Sequence, residues 1–251
     1  NLPTTPYSQD QDQRGPAWAN SLFEDNAEFG LGMKLAVQQL TQRATHLLSQ
    51  ELPDHTYSIQ SDQIPEKRQQ IEALKSQLCH DTIKHDELKL LSNYLVEKQV
   101  WLVGGDGWAY DIGFGGLDHV LRSGENINIL VLDTQCYANT GGQKSKSTPE
   151  GKTAKLCSQP NTQSAKDLIS MYQQVPGIFV ARIALGANMN QTIKALKAAG
   201  EHTGPSLVVA YSPCIEHGYD LAHSADVTRS LVKGGGWDLL ANVTQEPTLA
   251  K

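Results

Sequence analysis

A chain of 251 residues, 39% apolar and 19% charged, has the makings of an ordinary globular protein, built as one large domain or two small ones. Its formal charge of −6, without any basic cluster, argues against nucleic-acid binding, and no apolar run reaches the length of a membrane span. Four scattered cysteines, Cys79, Cys136, Cys157 and Cys214, form no C-x-x-C pair, which disfavours a disulfide scaffold or a self-contained metal site and makes a reducing cytoplasm the simplest setting.

The first fifteen residues, rich in Pro, Gln, Asp and Thr, read as an extended arm with no signal-peptide layout. The missing initiator Met is what a piece of a longer protein would show. Residues 17–50 are expected to be helical, with Met33, Val37, Leu40, Ala44 and Leu47 at spacings of three or four. Leu52-Pro53-Asp54-His55 breaks that helix, and two more follow through Ile71, Leu74 and Leu78, then Leu88, Leu91 and Leu95. Residues 40–98 are thus a helical excursion from the body of a domain that spans the chain, not a domain of their own.

The body is carried by residues 100–143. An apolar run at 100–103 breaks into Gly104-Gly105-Asp106-Gly107; an amphipathic segment with Ile112, Leu117, Val120 and Leu121 on its apolar side follows. A second apolar run at 127–132 ends in Asp133-Thr134 and a polar, glycine-bearing loop. This reads as strand, loop, helix, strand, loop, a parallel crossover unit with both loops on one sheet edge. Residues 144–163 form a long polar loop, of a length that is usually functional or mobile. Beyond it a helix near 165–173, a strand at 178–183, a helix at 191–199, a strand at 207–211, a helix around 221–233 and a frayed tail from 234 are expected. The fold class is α/β: a mainly parallel, twisted sheet with helices on both faces.

The glycines flanking Asp106 let backbone approach a ligand closely, and the helix that follows offers free N–H groups to an anion. An Asp in such a cradle would repel bare phosphate unless a hard cation sits between them. Magnesium takes oxygen ligands and is commonly shared between carboxylate and phosphate, with the Thr134 hydroxyl and loop carbonyls as further donors. A magnesium-bridged diphosphate site is the inference. As a plain helix cap, Asp106 would need no metal. A dinucleotide site is disfavoured, since the third glycine of G-x-G-x-x-G is missing and Asp106 has the wrong sign.

Gly105-Asp106-Gly107-Trp108-Ala109-Tyr110-Asp111-Ile112-Gly113, with Asp133-Thr134, Tyr137 and Asn139-Thr140-Gly141-Gly142-Gln143, resembles the C-terminal thiamine diphosphate-binding domain of pyruvate:ferredoxin (flavodoxin) oxidoreductases. The resemblance extends to Gly15–Gly30, to Gly186-Ala187-Asn188-Met189-Asn190-Gln191-Thr192 and to Tyr211-Ser212-Pro213-Cys214-Ile215-Glu216-His217-Gly218, nearly the whole chain in the family's order. It implies that Gly105, Asp106, Gly107, Trp108, Thr134, Gln135, Cys136, Tyr137, Ala138 and Asn139 meet thiamine diphosphate. Magnesium would be held by Asp106, Thr134 and the backbone carbonyl of Cys136, since a hard ion does not seek a thiolate.

The resemblance also puts Asn139 beside the substrate, where a turn-forming Asn is the plainer reading. It sets Phe23 and Asn26 toward the thiamine ring; core packing and a helix-end polar residue explain them equally well. Cys214 matches the fourth ligand of a 4Fe-4S cluster whose other three ligands would precede Asn1, although a lone Cys is usually a small buried apolar residue. His119 and His217 show no partner pattern.

The activity so implied is oxidative decarboxylation of pyruvate to acetyl-CoA and carbon dioxide, with coenzyme A as acceptor of the acetyl group and electrons passing through iron–sulfur clusters to ferredoxin or flavodoxin. Other domains of the same enzyme, and a homodimer, would complete the site, so the piece alone should not turn over. The alternatives are another 2-oxoacid:acceptor oxidoreductase and a non-catalytic thiamine diphosphate-binding module.

Overall fold

The computed structural model describes residues 15–21, 23–52, 64–78, 83–155, 157 and 159–243. The arm before residue 15, the Pro53 break, Cys79 and the tail after 243 lie outside the described residues. The chain divides into two compact units, one of Leu31–Val100 and one of Asn1–Gly30 with Trp101–Lys251.

The helical unit is built from α1 (Asn26–Glu51), most of which belongs to it, α2 (Ile64–Gln77) and α3 (Ile83–Leu91). Its core gathers the apolar positions spaced three and four apart: Ala44, Leu47 and Leu48 of α1, Leu74 and Leu78 at the end of α2, Leu88 and Leu91 of α3. The guanidinium of Arg43 grips Glu87 through two bonds of 2.8 and 2.7 Å, tying α1 to α3 at the surface. Two expectations are corrected. The helix starts at Asn26, after a 3-10 turn at Phe23–Asp25, and residues 15–21 are not helical. Met33 is 44% exposed and lies off the buried stripe of α1.

The other unit is a five-stranded sheet. Its strands are β1 (Trp101–Gly104), β2 (Asn128–Asp133), β3 (Phe179–Ile183), β4 (Ser206–Tyr211) and β5 (Leu240–Val243), in spatial order β1-β2-β4-β3-β5. The first four are mutually parallel and β5 runs antiparallel beside β3. Consecutive residues Leu207, Val208 and Val209 are all buried, so both faces of β4 are covered, as the unbroken apolar run requires. The helices here are α4 (Asp106–Tyr110), α5 (Phe114–Arg122), α6 (Leu168–Tyr172), α7 (Met189–Glu201) and α8 (Ser224–Lys233). Leu117, Val120 and Leu121 of α5 are buried; Ala195 and Ala199 of α7 pack on Phe179, Ala181 and Val208.

Two differences from expectation matter. The segment after β1 is two helices, not one, and Ile112 lies in the break between them, 67% exposed. The stretch read as tail supplies β5, a short edge strand whose four residues follow a glycine run and carry too little pattern to stand out.

Register sets the edge on which the site forms. Gly104 pairs with Val131 and Asp133 with Tyr211, so the carboxyl ends of β1, β2 and β4 lie side by side. The segments that follow them, 105–113, 134–143 and 212–218, open on one edge, where α/β sheets bind ligands.

Candidate functional site

Asp106 opens α4 directly after β1 and is only 4% exposed. Its Oδ1 accepts the backbone N–H of Thr134 at 3.0 Å and the Thr134 hydroxyl stands 3.2 Å away. That hydroxyl in turn lies 2.8 Å from the carbonyl oxygen of Cys136. A carboxylate, a hydroxyl and a carbonyl oxygen thus converge from two loops. In an octahedral magnesium shell with ~2.0–2.1 Å bonds, neighbouring oxygens sit about 2.9 Å apart. The two distances about the Thr134 hydroxyl, 3.2 and 2.8 Å, are close to that spacing.

The turn that presents Thr134 and Cys136 is held from several sides. Gln135 has φ 57°, a left-handed conformation that costs a non-glycine residue about 1–2 kcal/mol. Its N–H donates to Asp133 Oδ1 at 2.8 Å, its carbonyl accepts the Thr148 hydroxyl at 2.7 Å, and its side-chain oxygen accepts from Lys152 at 3.1 Å. Asp133 receives the Tyr110 hydroxyl at 2.6 Å on its other oxygen, which ties α4 to the end of β2. Burial first, and then the carboxylate of Asp106, push Asp133 up to about 6. Burial and the Asp133 carboxylate raise the Tyr110 phenol well above its usual range. Burial and nearby Cys214 push the Cys136 thiol up to about 11, so it stays protonated at neutral pH and only its carbonyl is offered to a hard ion.

The long loop expected at 144–163 folds back over this cluster. Ser145 and Ser147, 3% and 4% exposed, donate their hydroxyls to Asp106 Oδ2 at 2.8 and 2.6 Å. Thr148 accepts from the Ser145 N–H, and Asn161 closes the loop by donating to the Thr148 carbonyl at 2.7 Å. Lys146 pairs with Asp111 at 2.8 Å. Both serines escape a reading of the sequence by spacing; the one hint is a Ser-x-Ser in a loop too long to lack structure. Their effect is to occupy one carboxylate oxygen of Asp106 and leave the other facing Thr134.

The remaining expected residues are placed as follows. Gly105 and Gly107 bracket Asp106 on the βα turn, with Gly105 at the helix cap. Trp108 is 1% exposed, and a Cβ on Gly104 would stand 2.3 Å from its ring, so its side chain packs beneath the turn. Any contact of Trp108 with a ligand above the turn falls to its backbone. Tyr137 bridges antiparallel to Gln143 and closes a tight turn in which Ala138 accepts from Gly141. Gly142 in that turn has φ 89°, a conformation that side chains rarely adopt, and a Cβ there would also displace the Glu216 carboxylate, 2.7 Å away. Asn139 stands exposed at the tip of the turn, its side chain making no hydrogen bond to the described residues. Asn26 donates to the Val103 carbonyl at 3.1 Å, near the carboxyl end of β1.

Cys214, 8% exposed, follows β4 and accepts the Glu216 N–H on its sulfur at 3.4 Å. Among the described residues, no three His, Cys, Asp or Glu side chains gather to hold a metal. His217 sits between the two loops; its Nε2 is 2.7 Å from the Thr134 carbonyl, and burial holds it below the usual imidazole range. No described helix is long and apolar enough to cross a membrane.

Residues 88–210, which include β1, the Asp106 turn, β2, the serine loop and most of β4, match the family model for the C-terminal TPP-binding domain of thiamine pyrophosphate enzymes. The chain is 54% identical over 244 residues to a probable pyruvate-flavodoxin oxidoreductase of Escherichia coli, covering 95% of this chain and 21% of that protein. It is 47% identical to the pyruvate-flavodoxin oxidoreductase of Rhodospirillum rubrum, with the same shares covered. It is 40% identical to the pyruvate:ferredoxin oxidoreductase of Moorella thermoacetica, covering 95% of this chain and 22% of that protein. The chain therefore spans about a fifth of the length of these relatives. A family model that matches across the Asp106 turn and identity sustained over nearly the whole chain agree: the chain carries a C-terminal TPP-binding domain, homologous to part of the pyruvate:ferredoxin/flavodoxin oxidoreductases.

Proposed function

We propose that Asp106 Oδ1, the Thr134 hydroxyl and the Cys136 carbonyl hold a magnesium ion that bridges to the diphosphate of thiamine diphosphate. The chain would so serve as the cofactor-binding part of a pyruvate:ferredoxin/flavodoxin oxidoreductase. The observation that carries this reading is the convergence of those three oxygens at 3.2 and 2.8 Å on the edge where β1 and β2 end. Thiamine diphosphate supplies a nucleophilic carbon for addition to the carbonyl of a 2-oxo acid; the protein's task is to bind and orient it.

Each part of the site has a share in that task. Ser145 and Ser147 fix the rotamer of Asp106, so the metal-facing oxygen is set before the cofactor arrives. Gly105, exposed at the start of α4, leaves room for close approach by a phosphate, with Gly107 buried two residues on, and the turn at 134–143, with Tyr137 and Ala138, walls the cofactor. Asn139, exposed at the tip, is positioned to donate to an oxyanion of the substrate. Cys214 would give one thiolate to a 4Fe-4S cluster whose remaining ligands come from elsewhere in a longer protein; the backbone N–H already pointed at its sulfur suits that role. Pyruvate and a ferredoxin or flavodoxin acceptor follow from the names of the relatives; coenzyme A as acceptor of the acetyl group, and a dimeric, cytoplasmic enzyme as the whole, belong to the same proposal.

Calorimetric titration of thiamine diphosphate into the 251-residue chain tests the reading. Binding in millimolar magnesium that falls at least about tenfold in excess chelator is expected. Equal binding with and without the ion would contradict it.

A further inference from the structure

We infer that His217 is a positioning residue for the magnesium site: it keeps the strained 134–136 turn in its metal-holding conformation. The inference rests on the magnesium reading above. Nε2 of His217 is 2.7 Å from the Thr134 carbonyl, which can only accept, so Nε2 carries the proton. Nδ1 is then a lone pair, and the Cys214 N–H donates to it at 3.4 Å, with the Tyr211 hydroxyl 3.3 Å away. The ring stacks on Tyr211 at a centroid distance of 5.8 Å and an interplanar angle of 23°, which fixes its plane. Every contact agrees with one neutral tautomer.

The consequence lies in the peptide between Thr134 and Gln135. Its carbonyl end is held by His217 and its N–H end by Asp133 at 2.8 Å, so this peptide plane is clamped at both ends. The next residue, Gln135, has φ 57°, and in that conformation the Cys136 carbonyl stands 2.8 Å from the Thr134 hydroxyl. If the carbonyl clamp is lost, the peptide can rotate, the strain at Gln135 relaxes, and the Cys136 carbonyl leaves the metal site. The same imidazole seats the backbone of Cys214, so one side chain joins the loop after β2 to the loop after β4.

Partners that orient a ligand group typically affect metal affinity by 10–100-fold. The test is a magnesium titration of the chain at fixed excess thiamine diphosphate, with His217→Asn, His217→Gln and Asp106→Asn compared. Gln carries an amide nitrogen to the reach of Nε2 and can still donate to Thr134; Asn reaches only as far as Nδ1. His217→Asn should weaken magnesium about 10–100-fold and His217→Gln by less than about threefold, with both variants melting alike. Equal effects of the two, or none, while Asp106→Asn abolishes magnesium dependence, would overturn the role of His217. Magnesium affinity unchanged in Asp106→Asn would instead overturn the metal reading beneath it. Should His217→Asn not fold, nitrogen-15 NMR of the unsubstituted chain decides: an Nε2–H tautomer is expected, and an Nδ1–H tautomer would refute the clamp.

Discussion

Asp106→Asn is expected to weaken magnesium-dependent binding of thiamine diphosphate by at least about 100-fold, close to 3 kcal/mol, while the domain stays folded. The two halves of that expectation have different causes. The affinity falls because the substitution removes the one carboxylate among the three converging oxygens, and a hard dication bound next to a diphosphate depends on that charge. The fold survives because the hydrogen bonds can be redrawn. The amide oxygen of Asn still accepts from the Thr134 N–H, and the Ser145 and Ser147 hydroxyls, which donate to Oδ2, can rotate to accept from the new NH2 group. The change also removes the repulsion that helps to raise Asp133. Stability should therefore move by less than about 1 kcal/mol. Asp106→Ala is the harsher variant, since it takes their acceptor from the Thr134 N–H and the Ser145 and Ser147 hydroxyls. Calorimetry and thermal melts of the Asn variant separate loss of binding from loss of fold.

The largest effect on stability is expected at the packing of Trp108. Its ring is buried beneath the turn, and a Cβ on Gly104 would meet that ring at 2.3 Å, one on Gly113 at 2.7 Å. Trp108→Ala should cost about 3–5 kcal/mol through the cavity it leaves. Gly104→Ala should cost about 1–3 kcal/mol, because the added methyl collides with a ring that has nowhere to go. In the double variant the methyl enters the space the indole vacated. The sum of the single effects should exceed the double by at least about 1 kcal/mol, read from urea unfolding by far-UV circular dichroism. Strict additivity would mean that Gly104 is dictated by something other than Trp108.

Four of the five strands lie where runs of apolar residues put them, at 101–104, 128–133, 179–183 and 206–211, because strands buried on both faces write themselves as continuous apolar stretches. The crossover from β1 through α5 to β2 was equally legible, and with it the meeting of Asp106 and Thr134. What escaped was whatever depends on a loop returning from a distance. Ser145 and Ser147 are ordinary loop residues until the fold carries them back to Asp106. His217 has no sequence neighbour that hints at Thr134, from which 83 positions separate it. The strand β5 is four residues long and is defined by its pairing with β3, not by a pattern of its own. Ile112 was misread because helical periodicity runs straight across Asp111–Gly113, whereas Asp111 has φ −119° and ψ −107° and ends α4. The glycines of the motif had different reasons to be there. At Gly104 and Gly142 a neighbouring side chain fills the space of a Cβ, while Gly105 has only the Leu132 carbonyl within 4 Å, at 3.8 Å, which a side chain would clear. The protein's own packing thus places no demand for glycine at 105.

The bridging of metal and diphosphate is tested most directly by pulsed electron paramagnetic resonance with Mn2+ in place of magnesium, on the chain with thiamine diphosphate and on Asp106→Asn. Phosphorus-31 coupling to the manganese in the unsubstituted chain, lost in the variant at matched ligand concentration, is the expected result. Coupling that persists undiminished in Asp106→Asn, or bound thiamine diphosphate with no coupling at all, would contradict a metal held by Asp106, Thr134 and Cys136.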